Sequence, residues 1–153
     1  DDIHLVLVGT EKNYYKEIKA YIRENNLEHF VTVLGFVSDR KMVYLYKHAM
    51  GMVMPTYFGP TNIPPLEAMA LGCPVAVSNN YAMPEQIGKA ALYFHPDKPE
   101  EMADCIEILW TDAERRNKLI ESGYKRVRKW TKEEFSHRLY RIINAVLAES
   151  DAK

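Results

Sequence analysis

Three consecutive stretches decide the fold: Gly51-Met52-Val53-Met54-Pro55, then Thr56-Tyr57-Phe58-Gly59-Pro60-Thr61-Asn62-Ile63-Pro64, then Pro65-Leu66-Glu67-Ala68-Met69-Ala70-Leu71-Gly72-Cys73-Pro74-Val75-Ala76-Val77-Ser78. The first is a short apolar run stopped by proline, which reads as a strand. The second is rich in Gly and Pro and reads as a loop. The third opens with a helix from Pro65 to Leu71, breaks at Gly72, and closes with a second apolar strand from Pro74 to Ser78. A strand, a helix and another buried strand in that order make a parallel crossover unit.

The same alternation runs outward in both directions. Upstream, His4 to Gly9 is nearly continuous apolar chain, the pattern expected of a strand buried on both faces. Tyr14 to Asn25 carries Tyr14, Ile18, Tyr21 and Ile22 at helical spacing, Phe30 to Gly35 is β-branched, and Ser38-Asp39 is placed to cap a helix bearing Met42, Val43, Leu45, Tyr46 and Ala49. Downstream come a helical turn at Pro84–Ile87, a strand at Ala91–Phe94, and helices over 100–110, 113–130 and 133–149. The expected fold class is α/β: a Rossmann-like parallel sheet with helices on both faces and a C-terminal helical segment, forming one domain over residues 1–153. The chain begins without Met and enters a strand almost at once, so a piece of a longer protein is expected, with self-association through an unpaired strand edge.

Composition narrows the function. The chain has 153 residues and a formal net charge of -1, which gives no general electrostatic case for nucleic acid or an anionic membrane. The basic residues Arg115, Arg116, Lys118, Lys125, Arg126, Arg128, Lys129 and Lys132 are interleaved with Glu114, Glu121, Glu133 and Glu134, a pattern that favours a solvated helix surface over a phosphate-binding stripe. The cysteines, Cys73 and Cys105, lack metal-ligand spacing, and His4, His29, His48, His95 and His137 are scattered. No metal site, transmembrane segment or signal peptide is expected, and a reducing, cytoplasmic setting is. Tyr44, Tyr46, Tyr124 and Tyr140 read as packing residues, and Met50, Met52, Met54 and Met69 as core filler.

Ligands of open parallel sheets bind beyond the carboxyl ends of the strands. The loops leaving those ends are Gly9-Thr10-Glu11, Gly35-Phe36-Val37, Pro55 to Pro64, and Ser78 to Pro84. The third runs into a helix start, where unpaired N–H groups and the helix dipole favour an anion. Thr61 and Asn62 add side-chain donors before it, and Glu67 lies a turn further on, suited to accept hydrogen bonds from hydroxyls. A proline-stiffened loop that merely caps a helix fits the spacing equally well.

The order Leu45-Tyr46, Ala49, Met54-Pro55, Pro64 through Val75, Ser78, Pro84-Glu85 and Pro96 resembles family 4 retaining glycosyltransferases, densest in the stretch from Pro64 to Ser78. The resemblance implies the C-terminal half of a GT-B enzyme, with a nucleoside-diphosphate sugar as substrate and no metal or other cofactor. It implies that Glu67 binds the donor ribose and that backbone amides at Thr61, Asn62 and Ile63 approach the diphosphate. It also implies that Gly35, Phe36 and Val37 line the base beside Gly9. Gly59 stands eight positions before Glu67, where the family pattern has its first glutamate. The family's diphosphate-neutralising Arg and Lys would precede Asp1, as would the acceptor-binding half. No catalytic residue is assigned within the chain. The implied parent transfers a hexose in polysaccharide biosynthesis, from the cytoplasm or from the inner face of a membrane. Two other readings stand beside it: a non-catalytic nucleotide or sugar-nucleotide binding module, and a protein-interaction domain using the Pro-rich loop and the helical tail.

Overall fold

Apolar strands that alternate with amphipathic helices bury best as parallel strands joined by helical crossovers, and the computed structural model has that arrangement. It describes residues 3–59, 62–129 and 131–151, with side chains to 148. Two units are distinguished, residues 1–45 and 46–153.

In the first unit, β1 (Leu5–Val8) pairs in parallel with β2 (Val31–Gly35), joined by α1 (Tyr15–Glu24). Ile22 of α1 is buried, and it borders a surface hollow with Tyr15, Lys19, Val31 and Val33. The expectation of a doubly buried first strand fails: Leu5, Val6 and Val8 are exposed. Hydrophobicity shows what a strand can bury, whereas burial needs a neighbour, and no strand is paired with the other edge of β1 among the described residues. Tyr14, Ile18 and Tyr21 are likewise exposed.

α2 (Asp39–His48) begins in the first unit and ends in the second. The second unit holds a three-stranded parallel sheet in the order β3-β4-β5, from β3 (Met52–Met54), β4 (Val75–Ser78) and β5 (Ala91–Phe94). The expected single sheet is thus two sheets among the described residues. α3 (Ile63–Ala70) joins β3 to β4. α4 (Met83–Ile87) and a single 3-10 turn at Gly88–Ala90 join β4 to β5. All of β4 is buried, as a central strand paired on both edges should be. Ala76 packs with Leu92, Phe94, Cys105, Leu109 and Leu119, where α5 (Pro99–Thr111) and α6 (Ala113–Val127) cover the sheet. Val75 and Val77 alternate onto the opposite face. α3 packs closely on α6 because Gly123 has no side chain: a Cβ there would lie 3.1 Å from Met69 Cγ.

Both cysteines are free and buried, and desolvation raises the Cys73 thiol to about 11. Tyr46 and Met69 are buried as expected, and Met52 and Met54 half-buried, but Tyr44, Tyr124, Tyr140 and Met50 are exposed. The last helix, α7 (Lys132–Asp151), exposes Phe135, Leu139, Ile142, Ile143, Val146 and Leu147. No described helix is long and apolar enough to cross a membrane.

Truncating Phe94 to alanine, which empties the centre of this core, is expected to lower unfolding free energy by about 3–5 kcal/mol in a denaturant titration. Native-state alkylation at neutral pH should spare Cys73, with modification appearing only once denaturant exposes it.

Candidate functional site

At the carboxyl ends of β3 and β4 the two following loops are bonded to each other. The Thr56 carbonyl accepts from Ser78 Oγ at 2.7 Å and from Asn80 Nδ2 at 3.3 Å, and Thr56 Oγ1 donates to the Phe58 carbonyl at 2.6 Å. Ser78 is completely buried, so the bond from its hydroxyl satisfies a donor that water cannot reach. Phe58 and Tyr81, both largely exposed, meet edge to face with ring centres 5.7 Å apart. Tyr57 donates its hydroxyl to the Pro96 carbonyl at 3.1 Å, tying the loop to the end of β5.

The far end of the loop is held by Gln86 of α4. The Asn62 N–H donates to Gln86 Oε1 at 2.9 Å, and Gln86 Nε2 donates to the Asn62 carbonyl at 2.8 Å. Asn62 Nδ2 also donates to Met83 Sδ at 3.2 Å. Asn62 is the residue before α3, but its side chain caps no helical N–H. Pro64 and Pro65 contribute no N–H, so the amides of the first turn are those of Ile63 and Leu66. With Asn62 engaged by Gln86, Ile63 is the exposed amide-bearing residue at the helix start.

Glu67 is exposed a turn into α3 and accepts no hydrogen bond from the described residues. Burial first, and then the Glu67 carboxylate, raise the pKa of Tyr46, which places the acid near that phenol. Gly59 has φ +148°, and a Cβ there would come within 2.9 Å of both the amide nitrogen and oxygen of Asn62. The position where the family pattern carries a glutamate is therefore filled from the other side by Asn62. Thr61 lies outside the described residues.

The structure brings Gly59, Asn62, Ile63 and Glu67 together around one loop and helix start. The remaining site residues form a second group in the first unit. Gly9 and Gly35 end β1 and β2 side by side, with the Gly9 N–H donating to the Gly35 carbonyl at 3.0 Å. Gly35 turns the chain at φ +67°, Phe36 projects 81% exposed, and Val37 is buried. Lys12 and Arg40 are exposed. Among the described residues no group of three His, Cys, Asp or Glu side chains is placed to hold a metal.

Two features escaped the sequence. Gln86 sits in a five-residue helix with no periodic signal to mark it. Arg126, inside the basic run, donates through Nε to the Gln86 carbonyl at 2.8 Å and through Nη2 to the Glu85 carbonyl. Arg116 does the same service for α5, reaching the Leu109 carbonyl at 2.8 Å and the Trp110 carbonyl at 2.9 Å. The expectation of a merely solvated surface holds for the neighbouring lysines but not for these two arginines.

The sheet order, the loop at its carboxyl edge and the motif from Pro64 to Ser78 place the chain in a class: it belongs to the family described as glycosyl transferases group 1, which matches residues 1–126, and it corresponds to the C-terminal half of a GT-B enzyme. Among its relatives, the O-antigen chain mannosyltransferase B of Escherichia coli is 33% identical over 95 residues, covering 61% of this chain and 25% of that protein. The human alpha-1,3/1,6-mannosyltransferase ALG2 is 29% identical over 159 residues, covering 95% of this chain and 37% of that protein. The crystal structure of Anabaena Alr3699/HepE in complex with UDP-glucose superposes with a TM-score of 0.80 at 20% identity, covering 93% of this chain and 41% of that one. The chain thus spans well under half the length of these proteins.

Gly59→Ala tests the packing at the loop. A methyl group at a positive φ, pressed on the Asn62 carboxamide, should cost about 1–3 kcal/mol of stability. The check is a denaturant titration against the parent chain.

Proposed function

We propose that this chain is the donor-binding part of a longer retaining glycosyltransferase, one that transfers a hexosyl group from a nucleoside-diphosphate sugar to an acceptor hydroxyl in glycan biosynthesis. The observation that carries the proposal is the pairing, on one short helix, of an exposed start at Ile63 with the exposed carboxylate of Glu67. The Ile63 N–H and the positive end of the α3 dipole suit the diphosphate. Glu67 suits the ribose hydroxyls, since an exposed carboxylate that accepts no hydrogen bond from the described residues has lone pairs to offer them. Gly35, Phe36 and Val37, with Gly9, keep the base-lining role that the family resemblance implies.

Transfer of this kind depends on positioning and on stabilising charge at the departing diphosphate. In the proposed enzyme, cations and an acceptor-binding half supplied by further sequence provide what this chain does not. The mannosyltransferase names of two relatives and the UDP-glucose held by Alr3699/HepE support a nucleotide hexose as the donor class. The parent acts from the cytoplasm in this reading.

A second reading, a nucleotide-binding module without catalysis, draws on Gly59: the loop turns there with the Asn62 carboxamide packed where a glutamate side chain would begin. Calorimetric titration of the chain with UDP, GDP and ADP tests what both readings share. One diphosphate should bind, and Glu67→Ala should weaken it by about 1–3 kcal/mol. A folded chain that ignores all three overturns both. Glycosyl transfer by the longer protein then separates the enzyme from the module.

A further inference from the structure

Gln86 is 5% exposed, an unusual place for a carboxamide unless its polar atoms are paired. Both its donor and its acceptor go to a single residue, Asn62, at 2.8 and 2.9 Å. This is the exchange that two residues make across a β-ladder, performed here by a side chain on the main chain of a residue 24 positions away. It fixes the main chain immediately before Ile63 on both of its hydrogen-bonding groups.

The clamp is itself held. The Gln86 N–H donates to the Ala82 carbonyl at 2.7 Å, and its carbonyl receives Arg126 Nε at 2.8 Å. Arg126 also receives support from its second bond, to the Glu85 carbonyl, so α4 is anchored to α6 at its C-terminal end. Met83 of the same helix, fully buried, accepts from the Asn62 side chain. A path of hydrogen bonds therefore runs from α6 through α4 to the residue that introduces α3.

We propose that Gln86 is a positioning residue for the diphosphate end of the donor site, and that Arg126 supports it: by holding both backbone groups of Asn62, Gln86 aims the Ile63 N–H and the start of α3. The proposal rests on the donor-site reading above. It predicts a selective loss, because both bonds of the clamp go to the residue that introduces α3.

The test uses the full chain, its Gln86→Met variant, and UDP, GDP and ADP with the corresponding nucleosides as probes. Methionine keeps the length of the side chain and removes both bonds. Affinity for the preferred diphosphate should fall about tenfold, with affinity for the nucleoside unchanged. Amide hydrogen exchange at Asn62 should speed up at the same time. A diphosphate affinity that stays unchanged while Asn62 exchange quickens overturns the positioning role and leaves the donor site standing. Equal losses for diphosphate and nucleoside overturn it too, because general loosening acts on both. A parent chain that binds no diphosphate overturns the donor-site reading and this role together. Should Gln86→Met fail to fold, Arg126→Gln is read in its place, with the same selective loss expected at smaller size.

Discussion

The second unit is organised by the complete burial of β4. A strand with neighbours on both edges and helices on both faces has no side chain free to meet water, so Val75, Ala76 and Val77 must all be apolar and Ser78 must have its hydroxyl bonded. The bond from Ser78 to the Thr56 carbonyl satisfies that requirement and, in doing so, ties the loop after β3 to the end of β4. The location of the candidate site at this edge follows from a packing constraint before any ligand is considered.

The loop is then held again at its other end, through a different kind of group. Where Ser78 offers one hydroxyl, Gln86 offers a donor and an acceptor to the same residue, and Arg126 secures the helix that carries it. Gly59 belongs to the same arrangement, since its bare Cα leaves room for the Asn62 carboxamide. The departure from the family pattern at Gly59 is thus part of a consistent local structure, in which a side chain at one position has been exchanged for a contact with another.

The order of elements was legible because it rests on periodicity and on proline and glycine punctuation, which are local. Every expected strand and helix is found, with ends displaced by a few residues; α3, for one, starts at Ile63 where the prolines suggested Pro65. Burial was less legible. The run His4–Gly9 has the composition of an interior strand, yet Leu5, Val6 and Val8 are exposed, since composition carries no information on which neighbours are present. Within the candidate site, Gly59, Asn62, Ile63 and Glu67 could be named because they are close in sequence. Gln86 and Arg126 could not: their partners lie 24 and 40 or 41 positions away, and a glutamine or an arginine on a helix gives no hint of a distant carbonyl.

Pro64 and Pro65 have one more consequence, and it concerns the unfolded and unliganded chain. Each proline fixes φ at its own position near the helical value, so Pro64 and Pro65 have few backbone states to abandon when α3 forms. The same stiffness, together with bonds at Thr56 and Asn62, leaves little conformational entropy to be lost when anything binds there. Two amide donors are given up for this order. The start of α3 thus exchanges hydrogen-bonding capacity for a main chain with few conformations of its own.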